Sequence, residues 1–146
     1  MAGNNKQKKR PNYFQQNIDR SGPNFMDSMP LDRMRNDAIK VFRELARGNI
    51  DISVYGKYFL NPKFLEACII SAEIKYNFHL VSAMGVNSLL ERNIQGQNIY
   101  GVYEFHNNAA AAYNLIKSKL TEFRTFGDLN ILTDLVLNLT RYRYYI

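Results

Sequence analysis

Asn61-Pro62-Lys63-Phe64-Leu65-Glu66-Ala67-Cys68-Ile69-Ile70-Ser71-Ala72-Glu73-Ile74-Lys75-Tyr76-Asn77-Phe78-His79-Leu80 is the stretch on which the fold turns. Its first half reads as a helix. Asn61 is a capping side chain, and Pro62 suits a first turn, where the backbone N–H that proline lacks has no partner anyway. Phe64, Leu65, Cys68, Ile69 and Ala72 then recur at helical spacing. The stretch is apolar nearly all round, as a central helix would be. The second half carries a different signal. From Glu73 to Leu80 polar and apolar residues alternate with a period of two, the strongest strand pattern in the chain. Yet no turn residue separates the halves. The stretch is therefore read as one helix running to about Met84. Gly85 is expected to break or bend it, with a short further helical piece over 87–92.

Upstream, a first helix is expected from about Ser28 to Arg47. Asp27 or Ser28 caps it, and Pro30 suits its first turn. Leu31, Met34, Ala38, Val41, Phe42 and Leu45 make one face, and Gly48-Asn49 stops it. Residues 50–60 are ambiguous. Ile50 to Val54 alternate like a strand, but a lone short strand has no partner, which favours helix or packed loop. Downstream, residues 93–98 read as a loop. A long helix follows, starting at Tyr100 or later and established by Ala109 to Ala112, the best helix formers. Tyr113, Ile116, Leu120 and Phe123 continue its face. Gly127 ends it, and Asp128 caps a last helix with an apolar stripe of Ile131, Leu132, Leu135, Val136 and Leu139. The fold class is all-α, a single compact bundle of about five helices with an extended basic N-terminal arm.

Charge divides the 146 residues differently from the helices. The net charge is +6. Residues 1–36 carry seven basic and three acidic side chains, residues 37–139 carry ten of each, and the last seven residues add Arg141 and Arg143. The organisation is thus an extended basic arm over 1–26, a helical domain over 27–140 and a basic, aromatic tail over 141–146. The arm is rich in Lys, Asn, Gln and Pro, too polar to offset its own ordering entropy. It nevertheless carries Tyr13, Phe14, Ile18, Phe25 and Met26 along its length. Phe25 and Met26 could staple the first helix, whereas Tyr13 and Phe14 suit docking anchors.

Several classes of function find no support. One cysteine excludes an internal disulfide framework, and Cys68 reads as a buried thiol in a reducing compartment. The basic start is not followed by an apolar signal core, and no run approaches the ~20 apolar residues of a bilayer span. Residue 2 is alanine, so the myristoylation pattern fails, and the Asn138-Leu139-Thr140 glycosylation triplet falls in a helical pattern. The expected location is intracellular or virion-associated, neither secreted nor transmembrane.

Chemistry is sparse. There are two histidines. Cys68 and His79 lie eleven residues apart, about 16 Å along one helix and too far for a dyad. Glu104 and His106 point to different faces. Glu66 and Glu73 fit ion-pair partners better than paired catalytic carboxylates. No zinc, calcium or phosphate-loop motif occurs. No catalytic residue, metal ligand or cofactor is expected, and the chain is read as not an enzyme.

What remains is the two ends. Lys6, Lys8, Lys9 and Arg10 form a compact basic cluster ahead of Tyr13 and Phe14. Arg141, Tyr142, Arg143 and Tyr144 interleave cations with aromatics. Such patches fill protein grooves, stack on bases or grip phosphates, and tyrosines of this kind also fold back on their own domain. The expected function is a non-enzymatic component of a larger assembly, held to protein neighbours by these ends. The Asn-, Lys-, Ile- and Tyr-rich composition, typical of AT-rich coding sequences, fits a phage particle among such settings. The alternatives are a small nucleic-acid-binding protein and an inhibitor or accessory subunit of an enzyme. No membrane partner is expected, and the oligomeric state is left open.

Overall fold

The computed structural model describes residues 31–92 and 99–146. They form five α-helices: α1 (Leu31–Arg47), α2 (Ile52–Phe59), α3 (Pro62–Glu91), α4 (Ile99–Phe126) and α5 (Leu129–Leu139). A 3₁₀ segment, Thr140–Tyr145, closes the chain. No strand occurs among the described residues, so the all-α bundle is as the periodicity dictates. The arm, its Lys6, Lys8, Lys9, Arg10, Tyr13 and Phe14, the expected cap at Asp27 or Ser28 and the 93–98 loop lie outside the described residues.

Helix boundaries follow local chemistry. The Asn61 side-chain oxygen accepts hydrogen bonds from the backbone N–H groups of Lys63 (3.0 Å) and Phe64 (3.1 Å), with Pro62 beside them. Asp51 caps α2 through the Ser53 N–H, and Asp128 caps α5 through that of Asn130. Each such cap contributes roughly 1 kcal/mol. Gly48 ends α1 at φ 80° and Gly127 follows α4 at φ 65°, a conformation that costs most other residues about 1–2 kcal/mol. The ambiguous 50–60 stretch resolves as helix, with Tyr55, Gly56, Tyr58 and Phe59 buried.

α3 and α4 are the frame of the bundle. They pack antiparallel: the Lys117 ammonium donates to Glu73 at 3.2 Å, and His79 meets His106. α1, α2 and α5 cover one end of this hairpin. There Phe59 is fully buried, its ring centroid 5.7 Å from that of Phe64 and 6.5 Å from those of Tyr55 and Phe123. Met34, Phe42, Leu45, Ile116, Leu120 and Leu132 are likewise fully buried. Each such side chain contributes about 1.5–3 kcal/mol through the area it removes from water. Tyr55 reaches from this core to donate its hydroxyl to Glu44, and burial together with that carboxylate raises the tyrosine pKa well above its ordinary value. Lys119 ties α4 to α5 through Asp134 at 2.6 Å.

One expectation fails. α3 does not break at Gly85 into a separate piece; it is one helix of thirty residues that ends at Glu91. A glycine inside a helix costs only about 0.5–1 kcal/mol relative to alanine. Continuous packing against α4 outweighs that cost, and Gly85 keeps a helical backbone rather than a positive φ. The strand-like alternation over 73–80 is helical throughout.

Candidate interaction site

The hydrophobic core stops well before the frame does. On α3 its members end at Ala72, and on α4 they begin at Ala112. α3 continues nineteen residues beyond Ala72, roughly 28 Å at the helical rise. Over this length the buried residues are His79 and Ala83 on α3, with Ala109 and Ala110 facing them from α4. Seven large apolar side chains are instead exposed: Ile74 (53%), Phe78 (58%), Val81 (67%) and Met84 (64%) on α3, with Tyr100, Val102 and Phe105 on α4. From Tyr76 to Leu90, α3 contains no charged Lys, Arg, Asp or Glu.

The alternation over 73–80 now has a physical meaning. On a helix, residues two apart lie about 200° apart, on opposite faces. Tyr76 is half-buried against the core, as is Leu80 further along the hairpin, while Ile74 and Phe78 point outward. The segment is a helix with two apolar faces, one turned to α4 and one to solvent.

Between the two helices the histidines meet. Their Nδ1 atoms are 2.9 Å apart, so one ring donates its Nδ1–H to the bare Nδ1 of the other. His79 is buried and stacks on Tyr113, with planes 3° apart and centroids 5.6 Å apart. Phe78 and Phe105 approach it edge-on at 5.0 and 6.1 Å. Burial, then the nearby His106, then Lys75 hold the His79 pKa below the ordinary histidine value. A neutral pair shares one proton comfortably; a doubly charged pair would set two N–H groups against each other. Among the described residues no group of three or more His, Cys, Asp or Glu side chains converges as metal ligands, and two nitrogens fall short of a structural zinc set.

The predicted tail residues take mixed positions. Thr140–Tyr145 is a compact turn against the body. Tyr142 and Ile146 pack on the core, Tyr145 lies 5.8 Å from Phe105, and Arg43 donates its Nε–H to the Ile146 oxygen at 3.3 Å. Arg143 stacks 4.7 Å above Tyr144 and donates to the Thr140 carbonyl at 3.0 Å. Arg141 donates to Asn138 at 3.3 Å. Tyr144 is 78% exposed, and both arginines are exposed. The tail thus splits: Tyr142 and Tyr145 face inward, while Arg141, Arg143 and Tyr144 present an outward cation–aromatic patch.

Two further features lie elsewhere. A shallow cleft of about 280 Å³ at the capped end is floored by Phe59, Leu65 and Phe123 and rimmed by Glu66 and Arg124. Cys68 is fully buried, which pushes its thiol pKa up and keeps it protonated. Glu73 pairs with Lys117 across the hairpin rather than with a neighbour on its own helix.

Sequence reasoning placed neither the histidine pair nor the outer face of α3. One signal for the pair was available. Both histidines follow a phenylalanine, as Phe78-His79 and Phe105-His106, and two identical steps on the arms of a hairpin can meet. No protein-family model matches this chain, and neither a curated protein nor a solved structure is similar to it.

Proposed function

We propose that this chain is a non-enzymatic component of a larger assembly, which it joins through protein–protein contacts. The observation that supports the reading is the outer face of α3 beyond the core. It has no Lys, Arg, Asp or Glu from Tyr76 to Leu90 and exposes four large apolar side chains in succession from Ile74 to Met84. A contiguous apolar patch of this kind marks an interaction surface, and it offers nothing to phosphates. The basic arm, with Tyr13 and Phe14, and the outward Arg141, Arg143 and Tyr144 add electrostatic and aromatic attachment at the ends. A virion or phage particle is one setting for such a component.

The test is the size of the native complex. In extract from its source, the 17.0 kDa chain should travel in a much larger particle that survives nuclease. Removing residues 1–26 should release a folded domain from it. A chain that runs at its own mass in native extract, with or without the arm, refutes the proposal. A complex that nuclease dissolves favours the nucleic-acid reading. In that case five arm cations (Lys6, Lys8, Lys9, Arg10 and Arg20) predict a log–log salt slope of up to roughly −4.5.

A further inference from the structure

The outer face of α3 has a register. Ile74, Phe78, Val81, Gly85 and Ser88 follow one another in steps of four, three, four and three, and all five are exposed. That is the 3.5-residue spacing by which one helix presents a seam to another. The next step of four reaches Arg92, also exposed.

Gly85 belongs to this seam and has no reason to be glycine within the chain. A Cβ built on it meets nothing within 4 Å, and its backbone is ordinary helix. Glycine weakens a helix interior, and no close neighbour inside the molecule requires one at this position. What glycine does supply is room for a second backbone or a large side chain to come close.

The area fits a pair of like surfaces. At their exposures, Ile74, Phe78, Val81 and Met84 leave on the order of 400 Å² of apolar surface in water, within the range of functional patches. Set against an identical patch, and with the rim of Asn77 and Ser88 included, the contact reaches the roughly 1,000 Å² that a specific interface needs. Charge also selects the occupant and its direction. A seam without charge over 76–90 faces its own copy with no like-charge penalty. In a parallel pair, however, the two Arg92 side chains would meet on the seam. An antiparallel pair sets Arg92 beside the partner copy's Ile74, which Glu73 and Lys75 flank, and sets Glu91 opposite the partner copy's Lys75, so opposite charges meet at both ends of the seam.

We propose that a second copy of this chain covers the outer face of α3, the two helices packing antiparallel about a two-fold axis between Val81 and Gly85. Each Val81 then enters the hollow left by the other copy's Gly85, and each Phe78 lies over the other copy's Ser88. The contact is isologous and closes on itself. This deepens the assembly reading and rests on it: the building unit is a dimer, and the ends remain available for other neighbours.

Sedimentation equilibrium of the full chain tests the pairing. The native protein should be dimeric at concentrations on the order of tens of micromolar. Val81→Glu should weaken self-association by on the order of a hundredfold, because it buries unpaired carboxylates at the axis. Position 81 is exposed in the single chain, so the variant keeps its helical circular dichroism; Phe78→Ser provides a second, uncharged probe with the same expected direction. Direction is read from oxidative cross-linking, in which buried Cys68 stays silent. A mixture of Val81→Cys and Gly85→Cys chains should form the mixed disulfide in preference to either homodimer. A native chain that stays monomeric at ~100 μM, or a dimer indifferent to Val81→Glu, overturns the pairing. Homodimeric cross-links alone overturn the antiparallel direction. A monomer that still enters its larger complex leaves the assembly reading standing without the pairing, and a dimer that never does so leaves the pairing standing without the reading.

Discussion

Replacing Gly85 and Gly56 by alanine, one at a time, should have different effects on stability although both sit inside helices. Alanine gains about 0.5–1 kcal/mol over glycine in a helix interior, chiefly because the unfolded chain has less freedom to lose. At Gly85 nothing opposes that gain, since the added methyl meets nothing within 4 Å. Gly85→Ala should therefore stabilise the single chain by about 0.5–1 kcal/mol, raising the melting temperature by roughly 1–4 °C at this size. At Gly56 the same methyl runs into the Leu129 side chain, with Leu132 behind it at 3.8 Å. Leu129 is 43% exposed, so it can swing outward, but it then gives up its contact with α2. That costs on the order of 1–2 kcal/mol and cancels or exceeds the helix gain. The two variants should differ by about 1–2 kcal/mol. Urea unfolding followed by circular dichroism measures this, at low micromolar protein and with equal m-values as the check on a common two-state transition. Destabilisation by Gly85→Ala at a concentration where the chain is monomeric refutes the claim that this face is open within one molecule. Stabilisation by Gly56→Ala equal to that at Gly85 refutes the claimed α2–α5 contact.

Phe59→Ala removes the ring around which Tyr55, Phe64 and Phe123 gather, and should cost about 3–5 kcal/mol in urea unfolding; a loss below 1 kcal/mol would place the core elsewhere. The histidine pair predicts a pH dependence. The His79 pKa is lowered in the folded chain, so below the ordinary value of 6.5 the unfolded chain takes up the proton first. Stability is fully present above that value and falls as the pH drops below it. His79→Phe, which retains a ring against Tyr113, should flatten the slope between pH 7 and 5, and an unchanged slope refutes the assignment. Cys68 should react with a thiol reagent only as the protein unfolds, so its labelling rate should rise with urea in step with the circular dichroism. Fast labelling in the native state contradicts its burial.

The elements that could be read from sequence are those whose cause is local. Asn61-Pro62, Asp128 and Gly127 act within a turn of themselves, and they mark the same helix ends in the structure as in the chain. The core faces of α1 and α5 were legible because one-sided periodicity has one explanation. Gly85 was misread because its small cost is outweighed by packing along the rest of the helix against α4, and α4 lies far away in sequence. The histidine pair was invisible for the same reason: its two members are twenty-seven residues apart, and their meeting depends on the register of α3 against α4.

The sequence alone determined that the chain is helical, where α3 and α5 start, where α1 and α4 stop, and that its net charge sits at the ends. It also contained the alternation over 73–80 without determining its meaning. Period two is the mark of a strand with one buried face, and equally of a helix with two. Only the tertiary structure decided between them, by placing α4 against Tyr76, His79 and Leu80 and leaving Ile74, Phe78 and Val81 in water. Burial is a property of the assembled surface, so an apolar residue in the sequence does not by itself say whether it is covered or by what.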